Sequence, residues 1–153
     1  MFIYLMRHGP YSPAASDPEE GLSLRGEEVV RGMARELKSL GVFPDAVFAS
    51  PKKRARQTAA LVAQALAYPP DGVQEGHWLK PMAPPDETLA RLRGLDGDNI
   101  LLVGHLPNLR LVASLLLSGG EYLDLALEPG STCCLEAPRL SAPARLHWLL
   151  RPR

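Results

Sequence analysis

Short apolar runs alternate with longer amphipathic stretches through residue 118 of the chain. Residues 2–6, 46–49 and 100–103 are continuous apolar runs of strand length, a pattern that predicts buried strands. Between and after them, apolar residues recur with a helical period, and glycine or proline marks the ends. The predicted helices cover about residues 23–40, 51–67, 86–94 and 107–118.

Particular residues mark the ends of these helices. Ser23 is predicted to cap the first helix, and Gly41 follows its last turn. Asp86 is predicted as the N-cap of the third helix, and Pro107 is predicted to lie in the first turn of the fourth. Three more strands are predicted within residues 73–79, 131–136 and 146–150.

The order of the elements predicts the fold class. Strand–helix alternation is typical of a mostly parallel sheet with helices on both faces, which is a three-layer α/β/α sandwich. No internal repeat, charged tail or long linker divides the sequence, so residues 1–153 are predicted to form a single domain.

Composition narrows the classes of function. The 153 residues are 46% hydrophobic, which is enough for a core. The 17 Lys and Arg residues balance 17 Asp and Glu residues, and this zero net charge argues against nucleic acid or an anionic membrane as partner. No apolar run reaches the ~18 residues of a membrane span, and the amino terminus lacks the basic start of a secretory signal. The adjacent Cys133 and Cys134 make a poor disulfide framework, so we expect a cytoplasmic protein with reduced thiols.

Polar side chains directly follow three of the predicted strands. Arg7-His8-Gly9 follows the first strand, a basic stretch over residues 50–58 follows the second, and Gly104-His105 follows the third. Ligands bind at the carboxyl ends of the strands in an open α/β sheet, where helix N-termini also favour anions. The sequence therefore predicts an anion-binding site that contains two imidazoles.

These motifs resemble those of the histidine phosphatase superfamily, whose fold is called phosphoglycerate-mutase-like. The resemblance rests on Arg7-His8-Gly9, on Gly104-His105, and on residues 50–58, which read Ser-Pro-x-x-Arg-Ala-x-Gln-Thr. Their order and spacing agree over nearly the whole chain, and the short length resembles the SixA-type phosphohistidine phosphatases. The resemblance implies a phosphatase without metal or other cofactor that works through a phosphohistidine intermediate.

The resemblance also implies a role for each site residue, and the chemistry of each side chain agrees. His8 would be the nucleophile, kept neutral so that one ring nitrogen holds a lone pair while a carbonyl accepts from the other. Arg7 and Arg54 would clamp the phosphoryl oxygens with their planar forks, and Gly9 would join them in binding the substrate. His105, expected to be cationic beside the phosphate, would donate to an oxygen that gains charge in the transition state.

Other basic residues are predicted to lie outside the pocket. Arg56 is two residues from Arg54, about 200° around a helix, and is therefore predicted to lie at the rim or surface. Lys52 and Lys53 are predicted to attract a phosphorylated substrate to an open site. A zinc site is the alternative use of the histidines, but the sequence lacks His-x-x-x-His and Cys-x-x-Cys motifs, and the arginines beside His8 would repel a cation.

No residue in the sequence can be identified as the general acid from a motif. Many members of the superfamily carry a glutamate from an insertion after the second helix, and this chain has little room for that insertion. Glu75, Asp86 and Glu87 are the candidates, although none lies in an identifying motif. An alkoxide leaving group needs a proton from such an acid, whereas the imidazole of a phosphohistidine departs with less help.

Three functions remain open at this point. The favoured one is a phosphohistidine phosphatase acting on a histidine-phosphorylated signalling or phosphotransfer protein. The second is a small-molecule phosphomonoesterase acting on a sugar phosphate, a nucleotide or a cofactor precursor. The third is a non-catalytic phosphate-binding module, against which the complete set of Arg7, His8, Arg54 and His105 argues. Mutase activity is the least expected, since nothing in the sequence forms a cap over the product.

Overall fold

A single mixed sheet organises the residues that the computed structural model describes, which are 1–141 and 143–153. Its strands are β1 (Phe2–Arg7), β2 (Ala46–Ala49), β3 (Gln74–Glu75), β4 (Asn99–Gly104), β5 (Thr132–Glu136) and β6 (Arg145–Leu150). They lie in the order β3-β2-β4-β1-β5-β6. β1 to β4 run parallel to one another, and β5 and β6 are antiparallel to their neighbours. The mostly parallel sheet is therefore confirmed.

Helices cover both faces of this sheet, which confirms the three-layer α/β/α arrangement. The α-helices of the described residues are α1 (Leu24–Ser39), α2 (Lys53–Ala65), α3 (Pro85–Arg93) and α4 (Asn108–Ser118). Alternate residues of β1 point to opposite faces, as strand geometry requires. Ile3 and Leu5 pack in the core formed with α3 and α4, whereas Tyr4 and Met6 pack in the core formed with α1 and α2.

Two of the predicted helix ends agree with the structure and two differ. Gly41 follows the last turn of the helix that ends at Ser39, as predicted, and has a positive φ of 74°. The Ser23 hydroxyl accepts from the Gly26 backbone N–H at 2.9 Å, so the predicted cap of α1 is confirmed. The prediction that Asp86 caps α3 is wrong, because α3 begins at Pro85 with Pro84 in the cap position. A proline at the first helical position lacks the N–H that would need a partner, so the helix can start with Pro84 as its cap, two residues before the predicted one. Pro107 is the residue before α4 rather than part of its first turn.

The segment predicted as a short strand over 73–79 is mostly not a strand. Only Gln74–Glu75 pairs with β2, and His77–Leu79 forms a short 3-10 helix. Trp78 and Leu79 are buried in the core under this turn, which explains why the apolar residues there do not continue the strand. None of the helices in the described part of the chain is long and apolar enough to cross a membrane.

Candidate active site

The two histidines predicted to meet at the carboxyl edge of the sheet do meet there. β1 and β4 are neighbours, with Arg7 opposite Gly104 in register, and the His8 backbone N–H donates to the Gly104 carbonyl at 3.0 Å. Each histidine follows its strand directly, so the rings of His8 and His105 lie with their centroids 4.9 Å apart. Both residues are almost fully buried, at 3% and 2% exposure.

The backbone of Gly9 orients the His8 ring. Nδ1 of His8 lies 2.8 Å from the Gly9 carbonyl oxygen, which can only accept, so the proton resides on Nδ1 and the lone pair on Nε2. The Gly9 N–H donates to the Thr58 hydroxyl at 3.1 Å. A Cβ at position 9 would lie 2.5 Å from a methyl of Val30, so only glycine fits between α1 and His8. Both backbone groups of Gly9 thus serve to position His8, and its N–H is not free for a substrate.

The surroundings keep His8 uncharged. The pKa of His8 is lowered to about 4, mainly by burial. The nearby guanidinium groups of Arg54 and Arg7 contribute to the shift, and the Gly9 carbonyl opposes it. A neutral imidazole at neutral pH has the lone pair that a nucleophile needs.

His105 is held by a hydroxyl of the motif that follows β2. Its Nε2 lies 2.8 Å from Oγ of Ser50. The pKa of His105 is lowered to about 3, mainly by burial and in addition by His8, Arg54 and Lys52. His105 is therefore neutral in the ligand-free site, because burial and the positive charges around this ring disfavour a further proton. The expected cationic form belongs to the phosphate-bound site and stays a prediction. The negative charge of a bound phosphoryl group would act in the opposite direction.

The two predicted clamp arginines, Arg54 and Arg7, are held by a tyrosine ring and a backbone carbonyl rather than by carboxylates in the contacts described below. The Arg54 guanidinium carbon lies 4.7 Å from the centre of the Tyr11 ring, and that ring meets His8 edge to face at 5.4 Å. Arg7 donates from Nη1 to the Leu127 carbonyl at 2.9 Å. A ring face and a neutral carbonyl orient both cations and leave their charge available to an anion.

Unsatisfied nitrogen atoms mark the same place. Nε of Arg7, Nε of Arg54 and Nδ1 of His105 are buried and have no hydrogen-bond partner among the residues that the structure describes. Buried polar atoms in folded proteins are nearly always paired, so unpaired nitrogens on three residues that lie near His8 indicate a place for a ligand. Because the residues are basic, an oxyanion is the ligand that fits them.

The predicted rim residue and the predicted acids lie outside this cluster. Arg56 is exposed, donates from Nε to the Pro51 carbonyl at 3.0 Å, and pairs with Glu75 at 3.7 Å. Asp86 and Glu87 lie exposed in the first turn of α3. Within the described contacts, none of these three carboxylates contacts His8 or His105, so the structure gives no reason to choose one as general acid.

Lys53 was predicted to be a charge at the rim that attracts the substrate, but in the structure it is paired with carboxylates. Its Nζ lies 3.3 Å from Asp17 and 3.5 Å from Glu19, so it fastens the loop after Gly9 to the start of α2. Lys52 is exposed, and its charge reaches His105. Of the two lysines, Lys52 is the one that can face an approaching substrate.

Sequence reasoning missed several residues that shape the site. Ser50 and Thr58 belong to the recognised motif but had no assigned role, and the structure shows them bonded to His105 and to Gly9. Tyr11 was missed altogether, since nothing in the sequence distinguishes this tyrosine from one on an ordinary loop. No group of three or more histidine, cysteine, aspartate or glutamate residues in the described ranges could hold a metal ion.

Comparison with known proteins identifies the family of this chain. Residues 3–75 match the family model of the histidine phosphatase superfamily, branch 1. An uncharacterised protein of Picosynechococcus sp. is 33% identical over 133 residues, which cover 82% of this chain and 79% of that protein. The chain belongs to the histidine phosphatase superfamily.

Comparison with solved structures indicates which type within the superfamily this chain resembles. The protein histidine phosphatase SixA, complexed with tungstate, is 25% identical and superposes with a TM-score of 0.86 over 99% of this chain and 97% of that one. The chain is a SixA-type member of the superfamily, and the comparison supports phosphatase activity on a phosphorylated substrate. The same fold occurs in a mycobacterial glucosyl-3-phosphoglycerate phosphatase, at 17% identity and a TM-score of 0.69, covering 96% and 97% of the two chains.

Proposed function

We propose that this protein is a metal-independent phosphohistidine phosphatase that uses His8 as its nucleophile and acts on phosphohistidine carried by another protein. One observation carries the proposal: His8, with its lone pair on Nε2, lies among Arg7, Arg54 and His105, whose buried nitrogens lack partners. That arrangement combines a neutral nucleophile with preorganised donors for a phosphoryl group. The SixA relative holds tungstate, a tetrahedral oxyanion like phosphate.

In the first step, Nε2 of His8 attacks phosphorus. The Nε2–P bond forms as the bond from phosphorus to the leaving group breaks, and the leaving imidazole takes a proton from water. The His8 ring gains positive charge, which the Gly9 carbonyl on Nδ1–H stabilises. Arg7 and Arg54 neutralise the phosphoryl oxygens, so that no bound metal is needed for this purpose.

In the second step, water attacks the phosphohistidine intermediate. The Nε2–P bond breaks, inorganic phosphate leaves, and Nε2 regains its lone pair. His105 lies beside the His8 ring, where it can donate to a phosphoryl oxygen in both steps. A bound phosphate attracts a proton to His105, because its negative charge opposes the effect of the arginines on the pKa of that ring.

The leaving group favours phosphohistidine over an alkyl phosphate. Glu75 forms an ion pair with Arg56, and Asp86 and Glu87 lie exposed on α3. Among the described residues, none of these three candidate acids contacts His8. Departure of an alkoxide without an acid is slow, whereas imidazole and aryl oxide are better leaving groups. A small-molecule phosphomonoesterase is the second candidate, favoured by the same fold in the glucosyl-3-phosphoglycerate phosphatase.

Steady-state kinetics on four substrates tests this proposal. A histidine-phosphorylated phosphotransfer protein, phosphoramidate, an aryl phosphate and a sugar phosphate are compared, each with chelator and with added magnesium. We expect the phosphoprotein to have the highest kcat/KM, the sugar phosphate the lowest, and no effect of either addition. A sugar phosphate turned over as fast as the phosphoprotein would replace this proposal with the small-molecule one. Strict dependence on added metal would contradict metal independence.

A charge reversal at the rim tests the protein substrate separately. Lys52→Glu removes the exposed charge beside His105, and Lys38→Glu makes the same change in net charge near the end of α1, at the other edge of the sheet. We expect Lys52→Glu, but not Lys38→Glu, to lower kcat/KM for the phosphoprotein more than for the aryl phosphate. Equal loss on both substrates would argue against docking of a protein at this rim.

A further inference from the structure

A segment of irregular backbone runs beside α4 and ends at the catalytic edge of the sheet. Residues 121–128 lie between α4 and β5 and contain neither helix nor strand. Arg110, Ser114 and Ser118 occur at four-residue spacing on α4, which places them on one face of the helix. We call these three residues the α4 stripe.

Each residue of the α4 stripe bonds to the backbone of this segment. Ser118 donates from Oγ to the Glu121 carbonyl at 2.8 Å, and Ser114 Oγ accepts from the Leu123 N–H at 2.9 Å. Arg110 donates from Nε to the Leu125 carbonyl at 3.0 Å. The segment therefore lies antiparallel to α4, with successive contacts at every second residue.

The contact at Arg110 leads on to Arg7. The Leu127 N–H donates to the same Leu125 carbonyl at 2.9 Å, and the Leu127 carbonyl accepts from Nη1 of Arg7 at 2.9 Å. Leu127 is 1% exposed, so this carbonyl has a fixed place in the core. Two residues of backbone thus join the side chain of Arg110 to the side chain of Arg7.

Other contacts of Arg110 are weaker. Asp124 lies 3.6 Å from Arg110 Nε but its side chain is 81% exposed, so the ion pair adds little. The Tyr122 hydroxyl accepts from Nη1 at 3.3 Å. The bond to the Leu125 carbonyl is the contact that links Arg110 to the site.

We propose that Arg110 is a positioning residue for Arg7, acting through the Leu125–Leu127 backbone to fix the plane of the Arg7 guanidinium toward the phosphoryl group. This inference rests on the proposed function, in which Arg7 binds phosphoryl oxygens. A guanidinium that is already oriented loses less entropy and binds the transition state better. Arg110 itself does not touch the substrate.

A second way for Arg110 to act would be through its charge alone. Burial lowers the pKa of Arg7, and Arg110 is the nearby charge that lowers it most. A charge effect weakens with ionic strength, whereas the orientation of Arg7 by a buried carbonyl does not. The two effects therefore separate in a salt series.

The experiment compares Arg110→Met with Arg110→Lys and Ser118→Ala, using an aryl phosphate at low and high salt and tungstate binding by calorimetry. We expect Arg110→Met to lower kcat/KM and tungstate affinity about tenfold at both salt concentrations, the effect of losing one hydrogen bond from a charged group. Arg110→Lys should recover part of the loss. Ser118→Ala, at the far end of the α4 stripe, should stay within about twofold of wild type. Circular dichroism and thermal unfolding check that each variant is folded.

The Arg7→Ala background decides the question. There, Arg110→Met should change tungstate affinity by less than about twofold, because the group it positions is gone. An equal loss in both backgrounds, or a loss that disappears at high salt, would overturn the positioning role. If Arg7→Ala alone leaves tungstate affinity and kcat/KM unchanged, the proposed role of Arg7 fails instead, so the two failures are distinguishable.

Discussion

The imidazole rings of His8 and His105 lie 4.9 Å apart, and His8 is one of the groups that lower the pKa of His105. Burial is the main cause, and the neighbouring arginines add to it, so that the pKa of His8 falls to about 4 and that of His105 to about 3. The ligand-free site therefore contains two neutral imidazoles and two cationic arginines at neutral pH.

The pH dependence of kcat/KM follows from this arrangement. His8 must be neutral to attack, so the acid limb of kcat/KM should have an apparent pKa near 4, and activity should persist at about pH 5. The measurement uses phosphoramidate, with the ionisation of the substrate followed separately by phosphorus NMR. An acid limb at the ordinary histidine value of 6.5 would contradict the burial and charge argument for His8.

Stability should also depend on pH in a defined direction. In the unfolded chain both histidines titrate near 6.5, so between that pH and their folded values the unfolded state binds more protons. The free energy of unfolding should therefore fall as the pH drops from about 6.5 toward 4. Urea unfolding at several pH values checks this, and His105→Gln should flatten the dependence. A slope unchanged by His105→Gln would show that this ring is not buried uncharged.

Two arginines on α2 should differ sharply. Arg54→Ala removes a guanidinium beside His8 and should lower kcat by about 10²- to 10³-fold, the scale of losing a preorganised donor. Arg56→Ala removes an exposed side chain that pairs with Glu75, and kcat should stay close to that of wild type. Equal damage from the two substitutions, measured on the same aryl phosphate, would exclude the assignment of Arg54 as a clamp.

Tyr11 should act through its ring rather than its hydroxyl. The Arg54 guanidinium lies over the ring face, an arrangement worth about 0.5 to 2 kcal/mol. Tyr11→Phe keeps the face and should bind tungstate like wild type, whereas Tyr11→Leu should bind it about three- to tenfold more weakly. A larger loss in Tyr11→Phe than in Tyr11→Leu would mean that the hydroxyl, and not the ring, contributes to binding.

The fold could be predicted from the sequence because its strands and helices have clear periods. Runs such as 46–49 are apolar on both faces of a buried parallel strand, and the Ser23 cap fixes the start of α1. The short β3 was harder, because the apolar residues at 78–79 face the core from a 3-10 helix rather than from a strand. Apolar periodicity over so few residues does not distinguish the two.

The site was predictable only as far as motif residues follow strand ends. The meeting of His8 and His105 follows from sheet topology, whereas the Tyr11 ring over Arg54 and the Leu127 carbonyl on Arg7 depend on loops. The protonation state of His105 could not be predicted from the sequence either, since it depends on burial and on several charges that are distant in sequence. Loop contacts and local charge have no periodic signature in a sequence.

Trapping the phosphoryl group tests the central claim most directly. Brief incubation with labelled phosphoramidate, quenching in base and peptide mapping by mass spectrometry should find acid-labile, base-stable phosphate on His8. His8→Asn should carry no label and have no turnover while its circular dichroism matches that of wild type. His105→Gln should still form the label, more slowly, because it retains the nucleophile. Label on a serine, cysteine, carboxylate or another histidine of the active wild-type protein would contradict the account.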